Sequence, residues 1–533
     1  MDGWHRVATL DELADKGRLV VKPAGRQIAL FLHGARVLAC NNRCPHEGYP
    51  LAEGDLAAAG GNGGGGDACI LTCNWHNWKF DLNSGAALVG GDAVTVYPTR
   101  VADGQVWVEV SGPTAEERRD RALAGLRDSF DDHDYGRMAR ETARLVKAGG
   151  DPLDAVRAAV AWTHDRFEFG MTHALAALPD WLALGEAHAR DDAERLVPVV
   201  EAVAYLAWDS QRAPSHPFTP ARLDWDPDAL FAAIEGEDEG RAAALVRGGV
   251  AAGAGFDDFA QPLARAALEH YLDFGHGAIY VLKAGEAVDR LGPGVLEPVL
   301  LSLVRMLIYG SREDLIPEFR EYGPALARWH GAGDEPVAAA DFDGLGVAAA
   351  LARILHSGRR RDELYQALLG AAARAMLHFD LARQGRTDNP VQDNVTWLGF
   401  THALTFANAV RALCGRVPDL WPRGLLQMGC FLGRNARYVD LDQDVADWRV
   451  DDADAFFDAA LRGLFDHGSA EYIVPAHLVK TLTAVRRELA AAPGTPARGD
   501  LLAALNRFLH SPLKRKHVLR TARQSLEFVA RED

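Results

Sequence analysis

The sequence predicts a multidomain fold, a small all-β domain over residues 1–112 followed by a large all-α domain over residues 113–533. Three observations carry this. The 533 residues exceed what one core organises, because single cores stop growing at roughly 250–300 residues. Up to Gly112 the apolar residues recur in short period-two runs broken by turn residues. Beyond Pro113 they recur at three- and four-residue spacing in segments rich in Ala, Leu, Arg and Glu.

In the first part, runs at 18–22, 27–32, 36–40, 93–97 and 105–110 read as strands, and the alternation in VTVYP and QVWVEV marks half-buried ones. Residues 57–68, AAAGGNGGGGDA, offer no side chains for packing and cost much entropy to order, which predicts a mobile surface loop. After residue 113, segments such as MARETARLVKAGG, DPLDAVRAAVAWTHDRF, RLVPVVEAVAYLAW and GLGVAAALARILHSG read as amphipathic helices. No strand alternation returns. A stretch poor in large apolar residues at 329–344 marks a soft joint, so the helical part is expected as one large domain or two adjacent ones.

The net charge of −17 is spread over both parts and gives no general electrostatic reason to bind nucleic acid or an acidic membrane. No apolar run approaches the roughly 18–20 residues of a bilayer span, and the N-terminus MDGWHRVATLDELADKGR has no leader pattern. A cytoplasmic protein is expected. Six cysteines are too few for a disulfide scaffold in a chain of this length. Cys40, Cys69, Cys414 and Cys430 are expected to be small buried residues.

The other two cysteines sit in Cys44-Pro45-His46 and Cys73-Asn74-Trp75-His76. Two thiolates and two imidazoles in short pairs suit either a 2Fe-2S cluster, with the sulfurs on one iron and the nitrogens on the other, or a structural zinc. The surrounding text, CPHEGYPLAEGDL followed by CNWHNWKFDLNSG, resembles the Rieske family. That resemblance implies a 2Fe-2S cluster held by Cys44, His46, Cys73 and His76. Three departures stand out: 26 residues separate His46 from Cys73, Asn74 stands where proline is common, and Asn77 stands where glycine is common. Asparagine is among the few residues that tolerate positive φ. The disulfide cap of high-potential members is missing, with Tyr49 after Gly48 and Trp75 inside the second motif. The resemblance therefore implies the ferredoxin and oxygenase branch, near the lower end of the roughly −150 to +300 mV Rieske range. A ferredoxin or ferredoxin reductase is the implied electron donor.

The α/β domain that usually follows in ring-hydroxylating members is not recognisable in the helical part, which carries a histidine repeat of its own. WTHDRFEFGMTHALAAL holds His164, Glu168 and His173; EHYLDFGHGAIYVL holds His270, Asp273 and His276; FDHGSAEYIVPAHLVKT holds His467, Glu471 and His477. A fourth segment, QDNVTWLGFTHALTF, repeats the theme around His402, with Asp393 in the leading position. A histidine and an acid three or four apart share one helix face, and that donor mixture suits iron, manganese or zinc between helices. The pattern predicts a mono- or dinuclear non-heme iron site with His173, His276, His402 and His477 as ligands. His164, His270 and His467 are further ligands or their supports, and Glu168, Asp273 and Glu471 would bridge ions or move protons. Capping and core histidines are the plainer reading of the same repeat. LGFTHALTFANAVRAL and DFGHGAIYVLKAGEAV resemble the questin-oxidase-like family of flavin-independent Baeyer-Villiger enzymes, which implies oxygen chemistry.

The expectation is an oxidoreductase, an oxygenase that passes electrons from the cluster to the helical metal site and uses dioxygen on a small organic substrate. One alternative is a Rieske electron carrier or redox sensor fused to a helical binding domain. Another is a metal-free Baeyer-Villiger-like oxidase. Near the C-terminus, Lys514, Arg515, Lys516, Arg520 and Arg523 form a basic cluster. It would dock an acidic ferredoxin or an anionic substrate, or serve as a solvated helix end.

Overall fold

The computed structural model describes residues 3–58, 69–210, 214–512 and 517–531. The chain divides into two compact units, Met1–Pro152 and Leu153–Asp533.

The first unit is built on eleven strands: β1 (Trp4–Thr9), β2 (Arg18–Val21), β3 (Ile28–His33), β4 (Arg36–Asn41), β5 (Asp55–Ala58), β6 (Cys69–Thr72), β7 (Lys79–Asp81), β8 (Ala87–Val89), β9 (Val96–Tyr97), β10 (Thr99–Ala102) and β11 (Gln105–Glu109). They pair antiparallel in three sheets ordered β1-β11-β10, β2-β3-β4-β9 and β5-β6-β7-β8. The run IALFL at 28–32 lacks polar alternation because β3 is buried on both faces. Ile28 and Leu30 join Val37, Ala39, Val106 and Val108 in one core, while Ala29 and Phe31 join Cys40, Cys69, Leu71 and Phe80 in the other. Cys40, Cys69, Cys414 and Cys430 are all buried and outside any disulfide, as expected. Burial alone pushes the Cys40 thiol up to about 12.

The unit boundary lies past the expected residue 112. A capping box between Thr114 and Glu117 starts the helix Ala115–Asp131, and Tyr135–Lys147 folds back on it. This hairpin is held to the β-sheets through Asp92, whose fully buried carboxylate takes Arg140 Nη2 and Arg144 Nη1 at 2.7 Å each. Burial raises that carboxyl, and the two guanidiniums outweigh it and hold it below its ordinary range. Composition changes at residue 113, but composition does not record which core a helix joins. Of the glycine-rich stretch, residues 59–68 lie outside the described residues.

The second unit is helical, with no strand among its described residues, and it does not divide at 329–344. Four of its helices form a closed ring: His173–His188, His276–Leu291, Trp397–Arg416 and Ile473–Ala491, each packed against two of the others. They are far apart in sequence, so the connecting helices carry the chain back to the same end of the bundle each time.

Candidate metal centre

His173 and His276 are the first residues of their helices, and His402 and His477 lie in the first two turns of theirs. Four helix starts therefore meet at one end of the bundle. The Thr172 side chain caps the first helix by accepting from Ala174 N, and its hydroxyl donates to Asp209 Oδ2 at 2.7 Å. His276 follows three consecutive residues with positive φ, Asp273 at 46°, Phe274 at 48° and Gly275 at 83°. Two of these are not glycine, a strained arrangement that persists only where surrounding bonds hold it. Asp273 N donates to Ser311 O at 2.7 Å, and Phe274 N donates to Glu313 Oε2 at 2.8 Å.

The Nε2 atoms of His173, His276 and His402 stand 3.1, 3.2 and 3.4 Å from one another, and His477 Nε2 is 3.1 Å from His402 Nε2. On the other side of the rings, His477 Nδ1 donates to Ile473 O at 2.7 Å and His276 Nδ1 to Asp273 O at 2.5 Å. Such donation leaves the lone pair on Nε2, facing inward. Tyr280 OH lies 3.2 Å from His173 Nδ1. Burial pushes His173, His402 and His477 well below the ordinary imidazole range, so these rings are neutral. The Nε2 lone pairs of His276 and His477 both face His402 Nε2, and nitrogens at this separation share either a proton or a cation. Ligands about 2.1 Å from one ion are about 3.0–3.4 Å apart along the edge of an octahedron or tetrahedron, which is the spacing observed.

One turn past His477, Lys480 is fully buried, and its Nζ has no hydrogen-bond partner. Burial pushes its amine down to about 7. A cavity of about 550 Å³ borders His173, His276 and Tyr280, with Asp273, Asp209 and Glu168 on its wall. Asp273 Oδ2 also lies 3.2 Å from His276 Nδ1.

The other residues expected at the site go elsewhere. His270 is bound at both nitrogens by carboxylates, Asp314 Oδ2 at 2.9 Å and Glu235 Oε2 at 3.1 Å, which push it up to about 9 and leave no lone pair for a metal. His164 lies parallel to Phe218 and donates from Nδ1 to Ala161 O at 2.9 Å. His467 Nδ1 accepts from Ser469 N at 3.1 Å, with Nε2 3.4 Å from Glu201. Glu471 is exposed in the turn before its helix. The sequence repeat groups neighbours along the chain, whereas these outer positions lie outside the four bundle helices and bond to other partners. Tyr280 and Lys480 were missed, although each is one helical turn from a site histidine, a spacing that could have found them.

In the first unit, Cys44 and Cys73 open two loops of matching design. Cys44 N donates to Tyr49 O and Gly48 N to Cys44 O; Cys73 N donates to Trp78 O and Asn77 N to Cys73 O. Gly48 (φ 80°) and Asn77 (φ 59°) occupy equivalent left-handed positions, so asparagine does take the glycine conformation there. The two imidazoles meet edge to face with ring centroids 4.6 Å apart, His46 stacks on Trp78 at 4.7 Å, and Tyr49 stacks on Trp75 at 3.9 Å.

Residues 3–98 match the family described as the Rieske [2Fe-2S] domain. The 3-phenylpropionate/cinnamic acid dioxygenase ferredoxin subunit of Photorhabdus laumondii is 32% identical over 107 residues, 20% of this chain and 92% of that protein. The chain belongs to the Rieske [2Fe-2S] family. The Rieske unit is also similar to the anthranilate 1,2-dioxygenase ferredoxin subunit of Burkholderia cepacia, 29% identical over 20% of this chain and 92% of that protein. The 4beta-methylsterol monooxygenase of Methylococcus capsulatus is 30% identical over 21% of this chain and 30% of that protein.

The Rieske domain implies a 2Fe-2S cluster, and the residues present fit one. Cys44 and Cys73 lie close enough for their side chains to interact. His46 Nδ1 is buried without any hydrogen-bond partner, as a ring nitrogen reserved for iron would be. Glu47, whose carboxylate is 3.7 Å from His76 Nε2, had no distinguishing signal in the sequence. No helix among the described residues is long and apolar enough to cross a membrane.

Proposed function

We propose that this chain is an oxygenase in which the Rieske cluster supplies electrons to a non-heme iron held by His173, His276 and His402, with His477 beside them. The observation that carries this reading is the meeting of three Nε2 atoms within 3.4 Å at the start of helices separated by 103 and 126 residues. Neutral imidazoles suit several divalent metals. Partnership with a one-electron donor favours a redox-active one, which zinc is not. When bound, the iron would supply dioxygen activation.

In this reading the chain's own residues have separable tasks. Ile473 O and Asp273 O orient two of the imidazoles, and the bonds from Phe274 and Asp273 hold the His276 turn in place. The cavity beside Tyr280 receives a small organic substrate, and Asp273 and Glu168 on its wall are placed to move protons. A ferredoxin or ferredoxin reductase would reduce the cluster. Relatives that are ferredoxin subunits of dioxygenases and a monooxygenase support an electron-transfer role within an oxidoreductase.

Metal analysis of the purified full-length chain tests this. Iron above two per chain is expected, with the excess lost in His402→Ala while the cluster signal persists. Two irons and no other metal would reject the helical site and leave the electron-carrier reading ahead.

A further inference from the structure

Farther along two of the bundle helices, a second cavity of about 420 Å³ opens between His173–His188, Ala453–Leu464 and Ile473–Ala491. Its walls are the stripe Ala183, Leu184 and Ala187 on the first helix, Phe457 and Leu461 on the second, and Val479 on the third. Alanines at positions where helices normally interlock leave the space unfilled, and gaps between bundle helices are common ligand sites.

Two polar groups at its ends lack the partners their chemistry calls for. Arg486 Nη1 donates to His188 Nε2 at 3.0 Å, and its guanidinium lies 5.9 Å from the Phe457 ring centroid. Among the described residues no carboxylate pairs with it. Its neighbour Arg487 is paired with Glu286. At the inner end Asp180, wholly buried, bonds Lys283 through Oδ1 while Oδ2 has no hydrogen-bond partner. Asp180 and His188 are eight residues apart on one helix, an axial distance of about 12 Å, which a chain of about ten carbons spans.

We propose that this cavity binds a medium-chain hydroxycarboxylate, with its carboxylate on Arg486, its apolar body along Ala183 and Ala187, and its terminal hydroxyl donating to Asp180 Oδ2. The site is separate from the histidine cluster and does not depend on metal there. A carboxylate converts the Arg486 contact to a charge-assisted pair. The hydroxyl satisfies a buried acceptor that is otherwise unpaired.

Calorimetry on the full-length chain with decanoate, 10-hydroxydecanoate and decan-1-ol tests this. Decanoate is expected to bind at least about tenfold more tightly than decan-1-ol, and 10-hydroxydecanoate more tightly again. Arg486→Met should remove the preference for decanoate over decan-1-ol. Ala187→Trp, which places a bulky ring on the exposed side of the cavity wall, should abolish binding of all three with the thermal midpoint retained. Failure of both carboxylates to bind, or unchanged decanoate affinity in both variants, would overturn the site. Equal affinity for decanoate and 10-hydroxydecanoate would overturn the role given to Asp180.

Discussion

Lys283 Nζ donates to Asp180 Oδ1 at 2.7 Å, and each residue stands seven positions after a site histidine, His276 and His173, on its own helix. Ten positions after His276 and His477, Glu286 pairs with Arg487. Equal offsets on paired helices mean that the helices run in the same direction and in register from the histidine layer. The Asp180–Lys283 and Glu286–Arg487 pairs thereby link matching turns of the helices that carry His173, His276 and His477. Removing one partner of a buried pair typically costs about 3–5 kcal/mol, whereas replacing both with apolar residues can be neutral. Lys283→Met should therefore lower urea-unfolding stability by about that amount, and Asp180→Leu added to it should recover most of the loss.

The Rieske cluster and the proposed helical metal should be lost independently. Cys73→Ser or His76→Ala removes one of two protein ligands to an iron and should abolish the Rieske EPR signal. His276→Ala should leave that signal intact and remove the additional metal, read by elemental analysis of the same samples.

His270 is held protonated by Asp314 and Glu235, with its pKa pushed up to about 9 from an unfolded value of about 6.5. The stabilisation is fully present below about pH 6.5 and is lost as pH rises to about 9. Comparing the parent with His270→Gln, unfolding free energies should differ by about 1–2 kcal/mol more at pH 6 than at pH 9.5, after allowance for solvent screening.

Lys480 has the opposite displacement, down to about 7 from about 10.4 when unfolded. Below pH 7 the folded protein holds a buried, unpartnered cation, and between pH 7 and about 10.4 folding requires its deprotonation. Lys480→Met should raise stability by at least about 2 kcal/mol at pH 7, with the gain fading toward pH 10.4. It should also tighten divalent metal binding at neutral pH, because a positive charge beside the imidazoles opposes a second one.

Gly90 has φ 112°, and a Cβ there would stand 2.3 Å from the Trp78 ring, which stacks on His46. Gly90→Ala should displace that ring, shifting the cluster's midpoint potential and visible circular dichroism while the iron content of the Rieske unit stays at two per chain.

The Rieske domain was legible in the sequence because Cys44, His46, Cys73 and His76 lie in two short motifs embedded in text typical of the family. The helical nature of the second unit was legible too, since burying one face of a helix imposes a spacing that any reader of the chain can count. The site histidines were half legible. Repeated segments pointed to His173, His276, His402 and His477 first, but the same repeats left His164, His270 and His467 open as further ligands or supports. The expected resemblance of this unit to questin-oxidase-like proteins is not shown, since the matches reported above cover about a fifth of the chain, in the Rieske unit.

By itself the sequence determined the composition of the motifs, the change from period two to helical spacing, and the absence of a long apolar run, all of which are local properties of the chain. Only the tertiary structure decided that the helices Ala115–Asp131 and Tyr135–Lys147 belong with the β-sheets, because that depends on Asp92 meeting Arg140 and Arg144 across some fifty residues of chain. Only the structure separated His276, with Nε2 inside the cluster, from His270, held between two carboxylates six residues earlier. The physical reason is the strained turn between them. Three successive left-handed residues redirect the chain after Leu272, and a change of backbone direction within one segment leaves no periodic trace in the sequence.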